Sequence, residues 1–167
     1  MEPGLYMFPA YQDTIRSCIL HSPLNPKKEY AYSDLGFILL KFAVEHVTEK
    51  SLDQYCQEEF YRKLGMHHTD FLAHKRLNKN NLVPSCVDKL YRKTELKGYV
   101  HDPVAALLGG IAGHAGLFST AEDLAKMMQL YLNGGTYGGE YYFSPETMVT
   151  FCLLYTSPSP RDTERSR

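Results

Sequence analysis

Tyr32, Ser33 and Asp34 place a phenol, a hydroxyl and a carboxylate on consecutive residues, directly before the apolar run Leu35-Gly36-Phe37-Ile38-Leu39-Leu40. A helix N-terminus carries positive partial charge from unpaired N–H groups and favours the ionised form of a nearby phenol or carboxylate. With a cation close by, Tyr32 could then accept protons at neutral pH. The same residues also fit a plainer role, in which Asp34 or Ser33 caps the helix and Tyr32 packs its ring beneath it. A second group of reactive side chains, His101, Asp102 and His114, falls in the glycine-rich stretch Gly98–Phe118 with Gly109, Gly110, Gly113 and Gly116. Glycines at this density imply positive φ or a close approach of backbone to something else. Either they allow helices and loop to cross tightly, or they wall a cleft into which His101, Asp102 and His114 project. The spacing is neither G-x-G-x-x-G nor a Walker loop, so no nucleotide site is expected.

These groups need elements to hold them. Phe37, Leu40, Lys41, Val44 and Val47 fall near helical spacing, and Leu39, Phe42 and Ala43 widen the apolar face. This predicts a buried helix to about Val47, with the polar trio at or just before its first turn. Upstream, Met1–Ala10 reads as a loop. Ile15, Cys18 and Ile19 predict an amphipathic helix over Tyr11–Leu20, ended by the two prolines of Ser22–Lys27. Ser51-Leu52-Asp53-Gln54 has the spacing of a capping box, opening a helix with Leu52, Tyr55, Cys56, Phe60 and Leu64 inward and Gly65 at its end. His67-His68-Thr69-Asp70-Phe71 reads as a surface turn or a short extended segment. Lys75–Lys97 is weakly patterned, with one strand within Leu82–Tyr91.

Ser119 or Thr120 caps the next helix, with Glu122 or Asp123 three residues on. Its expected apolar face is Leu124, Met127, Met128, Tyr131 and Leu132, and Asn133-Gly134-Gly135 stops it. Tyr137-Gly138-Gly139-Glu140 predicts a turn between two short strands, and Ser144-Pro145 starts a last helix.

The 167 residues suffice for one domain or for a piece of a larger one. A hydrophobic content of 44 % and a charged content of 22 % are globular values, so disorder is not expected. The net charge of −1, with scattered Lys and Arg, gives no reason to expect nucleic acid or an anionic membrane as partner. No apolar run approaches the roughly 20 residues of a membrane helix, and Pro3, Gly4 and Pro9 interrupt any leader at Met1. Cys18, Cys56, Cys86 and Cys152 form no CxxC or Cys/His pattern, and paired His67-His68 lacks a third ligand at metal spacing. No metal or other cofactor is expected.

Tyr32-Ser33-Asp34-Leu35-Gly36-Phe37-Ile38-Leu39-Leu40, Phe60-Tyr61-Arg62-Lys63-Leu64-Gly65-Met66 and the loop from Gly98 to Asp123 together resemble the β-lactamase-related serine hydrolases. That family includes class C β-lactamases, D-alanyl-D-alanine peptidases and certain esterases, and the likeness runs over Tyr11–Phe151. It implies a mainly α fragment of an α+β fold: the helical lobe of the β-lactamase/DD-peptidase-like fold, with few short strands. The family acylates the serine of a Ser-x-x-Lys, moves protons through the tyrosine of a Tyr-x-Asn, and flanks the substrate with a late Lys/His-x-Gly. Tyr32-Ser33-Asp34 matches the second element, which gives Tyr32 the proton-relay role, with Ser33, Asp34, His101, Asp102 and His114 as cleft candidates. Asp34 stands where the family has Asn, removing an amide donor and adding a negative charge.

No serine in the chain has a lysine three residues on. His114-Ala115-Gly116 imitates the late motif but resembles an earlier family loop. Residues 1–151 are thus expected to be a partial β-lactamase-related domain. Cys152-Leu153-Leu154-Tyr155-Thr156-Ser157-Pro158-Ser159-Pro160-Arg161-Asp162 reads as a translated sequencing adapter, making 152–167 a non-native tail. The resemblance implies a small-molecule or peptidoglycan-like substrate, a periplasmic or cell-envelope location, and a fusion in some members to a glycoside hydrolase module. Two other readings stay open: a catalytically inactive binding domain of the same fold, and a metal hydrolase using His67, His68, His101 or His114 with Asp102.

Overall fold

The computed structural model describes residues 10–24, 26 and 31–152; the chain divides into two compact units, 1–124 and 125–167. The first unit opens with α1 (Ala10–Leu20), α2 (Leu35–Thr48) and α3 (Leu52–Cys56), the last continued by a π-helical turn over Gln57–Tyr61. There follow β1 (Asp70–Phe71), α4 (Ala73–Arg76), a 3-10 turn (Lys79–Asn81), β2 (Pro84–Asp88), β3 (Thr94–Lys97), α5 (Pro103–Leu107) and β4 (Leu117–Phe118). Helix α6 (Ala121–Leu132) leads into the second unit, which adds the hairpin β5 (Thr136–Tyr137) and β6 (Glu140–Tyr141) and helix α7 (Pro145–Cys152). The expected class holds: mainly helical, with three antiparallel two-stranded pairs, β1–β4, β2–β3 and β5–β6.

Three helices converge on the core of the first unit. Ile38 of α2 packs with Val100, Ala105, Ala106, Leu108 and Ala112, while Ile15, Ile19, Phe42 and Ala115 close over them. Full burial of one such side chain, as at Ile38, stabilises by about 1.5–3 kcal/mol. The small residues Ala105, Ala106 and Ala112 let the α5 segment approach α2 closely.

The boundaries of α1, α2, α6, the β5–β6 turn and α7 follow the sequence closely, but the buried faces of two helices do not. Helix α2 turns Ile38 and Lys41 inward, whereas Phe37, Leu40 and Val47 are exposed. Apolar residues lie nearly all round this helix, so spacing alone cannot choose a face; packing of α1 and α5 against Ile38 chooses it. The Lys41 ammonium is accommodated by Glu45 at 3.0 Å, and Glu45 in turn accepts the Leu52 amide at 3.0 Å, tying α2 to the start of α3. In α6 the fully buried positions are Asp123 and Leu130, while Leu124, Met128, Tyr131 and Leu132 are exposed.

The expected capping box of Ser51 and Gln54 is present. The π-helical turn after Cys56 then adds one residue to the helical repeat. Leu64 is buried as expected, but Tyr61 and Met66 are buried too and Phe60 is only half-buried. Strands β3 and β4 and helices α4 and α5 were not anticipated. Of the expected loop Met1–Ala10, Ala10 instead opens α1 and residues 1–9 lie outside the described residues; of the expected non-native tail 152–167, Cys152 ends α7 and residues 153–167 lie outside the described residues.

Candidate active site

The site is built on the first turn of α2. Asp34 is the N-cap residue in a helical conformation, but its side chain makes no capping bond. Ser33 does that work, its Oγ accepting the Leu35 amide at 3.2 Å. Asp34 is left free to face Tyr32, whose phenol donates to Asp34 Oδ1 at 2.9 Å. The Tyr32 ring is 69 % exposed and leans toward Phe37, 6.3 Å between centroids, rather than packing beneath the helix. In this arrangement the phenol is a donor. Deprotonating it would put two negative charges side by side, which requires a cation beside the pair.

The glycine-rich stretch reaches the same place. Asp102 caps α5, its Oδ1 accepting the Ala105 amide at 2.7 Å, and Pro103 occupies the first helical position. The same Oδ1 receives His114 Nε2 at 2.9 Å. A carboxylate has no proton to give, so Nε2 carries the hydrogen. The His114 side chain is 3 % exposed, and its Nδ1 has no hydrogen-bond partner. Burial alone would raise the Asp102 carboxyl, but the hydrogen bonds from the Ala105 amide and from His114 outweigh it and hold it below the usual carboxylate range.

Gly113 explains how this loop comes so near α2: a Cβ there would run into the carbonyl oxygen of Phe37. The close crossing is thus observed at Gly113; of the stretch expected to wall a cleft, Asp102 and His114 line a groove while none of its glycines does. A groove of about 460 Å³ opens between the elements, lined on its apolar side by Ile15, Ile19, Leu35, Ile38, Val104 and Leu107. Ser33, Asp34, Asp102 and His114 line the same groove, with Cys18 of α1.

His101 is not among the lining residues, and its residue is exposed. Its backbone matters instead. Arg92, 8 % exposed at the end of the β2–β3 turn, donates from Nε to Asp88 at 2.7 Å, from Nη1 to the Val100 carbonyl at 2.7 Å, and from Nη2 to the His101 carbonyl. The guanidinium holds the Asp88 carboxyl far below the usual carboxylate range. Arg92 thus fixes the backbone immediately before Asp102. Sequence reasoning missed it because the partners are main-chain oxygens, which leave no mark in residue types. The Asp102-Pro103 pair, by contrast, carries a helix-start signal that the sequence reading passed over.

Paired His67 and His68 are exposed, and among the described residues no group of three His, Cys, Asp or Glu side chains is placed to hold a metal. A different acid controls that segment. Asp123, 1 % exposed, accepts the His68 amide at 2.7 Å and the Thr69 hydroxyl at 3.0 Å, while Thr69 also bonds Ser119 at 2.7 Å. Thr120 Oγ1 meets the Asp123 amide at 3.3 Å, half of the expected capping pattern; the carboxylate itself turns inward.

Comparison with known proteins gives the family and the fold. The Beta-lactamase family model matches residues 4–147. A protein of Escherichia coli (strain K12) named "Putative D-alanyl-D-alanine carboxypeptidase" is 40 % identical over 147 residues, covering 80 % of this chain and 34 % of its own. A protein of the same name from Salmonella gallinarum (strain 287/91 / NCTC 13346) is 34 % identical over 170 residues, covering 93 % of this chain and 38 % of its own. The chain therefore spans about a third of the length of these relatives.

Two solved structures share the fold. The octameric penicillin-binding protein homologue from Pyrococcus abyssi superposes with a TM-score of 0.57 at 21 % identity, over 85 % of this chain and 30 % of that one. The D-amino acid amidase from Ochrobactrum anthropi SV3, in complex with L-phenylalanine amide, gives 0.53 at 18 % identity, over 83 % and 37 %. With the family model matched along most of its length and relatives this similar, the chain belongs to the β-lactamase family, the serine hydrolases its motifs resemble.

Proposed function

We propose that this chain supplies the tyrosine-bearing wall of a serine-hydrolase active site, acting by acyl transfer on an amide, lactam or ester. The observation that supports the reading is the hydrogen bond from Tyr32 to Asp34, a residue that lines one groove with Ser33, Asp102 and His114, although Tyr32 itself is not among the lining residues. In the longer polypeptide a Ser-x-x-Lys outside these residues provides the nucleophile, and its lysine provides the cation that a phenolate at position 32 requires. Tyr32 takes the proton of the attacking serine hydroxyl and delivers it to the leaving group; water then removes the acyl group by the reverse path. Ser33 and Asp34 border the substrate, and the Asp102–His114 pair holds the groove wall beneath it. The late Lys/His-x-Gly is likewise supplied from outside the chain.

The names of the relatives support a substrate related to peptidoglycan and a location in the cell envelope. Among the described residues no helix is long and apolar enough to cross a membrane. A fusion to a glycoside hydrolase module belongs to the same proposal. A second reading, an inactive binding domain of this fold, is favoured by two observations: Asp34 stands where the family carries Asn, and no serine here has lysine three residues on. Nitrophenyl acetate separates the two. The isolated chain is expected to give no stoichiometric burst of nitrophenol, and the polypeptide extended upstream is expected to give one. A burst from the isolated chain refutes the division of labour, and a Ser-x-x-Lys-less, burst-free extended protein favours the binding domain.

A further inference from the structure

We propose that the tip of the β2–β3 hairpin docks on an anionic lipid bilayer, Leu90 and Tyr91 entering its interface and Lys89 and Lys93 meeting its headgroups. None of these residues lines the groove, so this surface is separate from the one assigned to substrate.

Strands β2 and β3 pair from Pro84 opposite Lys97 to Asp88 opposite Thr94, and residues 89–93 join them. At this tip Leu90 is 80 % exposed and Tyr91 74 %, with Val87 of β2 exposed as well. The backbone beneath them is nonetheless tied down. Asp88 Oδ1 accepts the amides of both Leu90 and Tyr91 at 3.0 Å, and Asp88 Oδ2 receives Arg92 Nε at 2.7 Å. The main-chain donors of the two apolar residues are thus satisfied from within the turn, which lowers the cost of moving them out of water.

Charge complementarity selects the partner. Asp88 and Arg92 neutralise one another in the interior, so the exposed charges of the tip are Lys89 and Lys93 alone. Glu95 is the exposed acid of the hairpin, and it shares a side of β3 with exposed Lys97, two residues on, which offsets it. An aliphatic and a phenolic side chain between two lysines suit a bilayer interface, with the ring at headgroup level and the ammonium groups among the phosphates. Lys93 holds its place at φ 52°, a left-handed conformation in which glycine is at ease and lysine is strained. The whole-chain charge of −1 does not register so local a pair.

The chain has no tryptophan, so Leu90→Trp and Tyr91→Trp each place a single fluorescent reporter at the tip. Tyr141→Trp on β6, at a side chain 84 % exposed, serves as the reference. Each variant is titrated with vesicles of phosphatidylglycerol or of phosphatidylcholine. Phosphatidylglycerol is expected to move the emission of both tip reporters to shorter wavelength, saturably and less so with added salt. Phosphatidylcholine is expected to leave them unmoved, and Tyr141→Trp to respond to neither lipid. Adding Lys93→Gly to Leu90→Trp relieves the strained φ, so it does not act by unfolding the turn. It is expected to weaken vesicle binding about fivefold, the share of one lysine at an anionic surface.

No shift with phosphatidylglycerol, an equal shift with phosphatidylcholine or in Tyr141→Trp, or undiminished binding in the Lys93→Gly variant each overturn the proposal. So does a shift without vesicles that grows with protein concentration, which would mean that a second copy covers the tip. The polypeptide extended at both ends is expected to respond in the same way; silence there would mean that another segment of the longer chain covers the tip, and overturns it too. Vesicle binding involves no acyl transfer, so its outcome and that of the nitrophenyl acetate assay are read independently.

Discussion

Replacing Asp102 by alanine removes two interactions that converge on one atom, Oδ1. The first is the cap of α5, whose loss costs about 1 kcal/mol. The second is the acceptor for His114 Nε2–H; leaving that donor buried and unsatisfied costs a further ~1–3 kcal/mol. Together they predict a loss of about 2–4 kcal/mol, or a drop in Tm of roughly 5–15 °C for a chain of this size. Asp102→Asn should be far milder. Its single carbonyl oxygen can occupy the Oδ1 position and accept from both donors, so only the difference between charged and neutral acceptors is lost, about 1 kcal/mol. In a His114→Phe background the buried donor is gone, and Asp102→Ala should cost only the cap, about 1 kcal/mol. Urea unfolding at pH 7, followed by circular dichroism, measures all four proteins. Equal damage from Asn and Ala, or an alanine cost unchanged by His114→Phe, would refute the shared-oxygen account. The carboxyl lies below its ordinary value when folded, so its contribution is complete at neutral pH. That contribution fades only as pH falls below about 4 and passes through the folded value.

Asp123→Ala strips the buried acceptor from the His68 amide and the Thr69 hydroxyl, and is expected to destabilise by about 3 kcal/mol in the same assay; a change under about 0.5 kcal/mol, the range of ordinary surface substitutions, would show that this network carries little weight. His74, stacked on Tyr99 at 3.9 Å, has its pKa lowered by burial despite its bond to the Gly98 carbonyl. Its stabilising effect is therefore present above about pH 6.5 and lost as pH falls toward the folded value, so a Tm profile should decline through that window less steeply in His74→Phe. Gly113→Ala should destabilise markedly because of the Phe37 carbonyl, whereas Gly36→Ala, with open space around it in the first turn of α2, should stabilise by about 0.5–1 kcal/mol. Thermal melts of the two variants check the pair, and equal tolerance would contradict the close crossing.

The extent to which this molecule was legible differs between its elements and its faces. Helix ends were marked by prolines, Ser51, Thr120 and Gly134, whose effects are local, and those boundaries agree with the fold. Faces are settled by what packs against them. Helix α2 is apolar on nearly every side, so nothing within it distinguishes Ile38 from Leu40; the contact with α1 and α5 does. The phase shift at Tyr61 arises from a π-helical turn for which no residue signal stood out.

The candidate site was readable in its residue types and partly in its roles. Asp34, Asp102 and His114 converge, yet the cap assigned to Asp34 or Ser33 resolves to Ser33 only with coordinates. Two contributions escaped notice: Arg92, gripping the Val100 and His101 carbonyls eight and nine residues on, and Asp123, gripping the His68 amide from 55 residues away. Bonds to main-chain groups leave no mark in residue types to recognise.

The central claim concerns Tyr32, and single-turnover acylation of the polypeptide extended at both ends tests it most directly. Covalent adduct formation with a penicillin is followed by intact mass, comparing the unmodified protein with Tyr32→Phe. Loss of the proton relay predicts acylation slower by about 10²–10⁴-fold, with equilibrium binding of the penicillin nearly unchanged. Acylation at the unmodified rate in Tyr32→Phe would contradict the account.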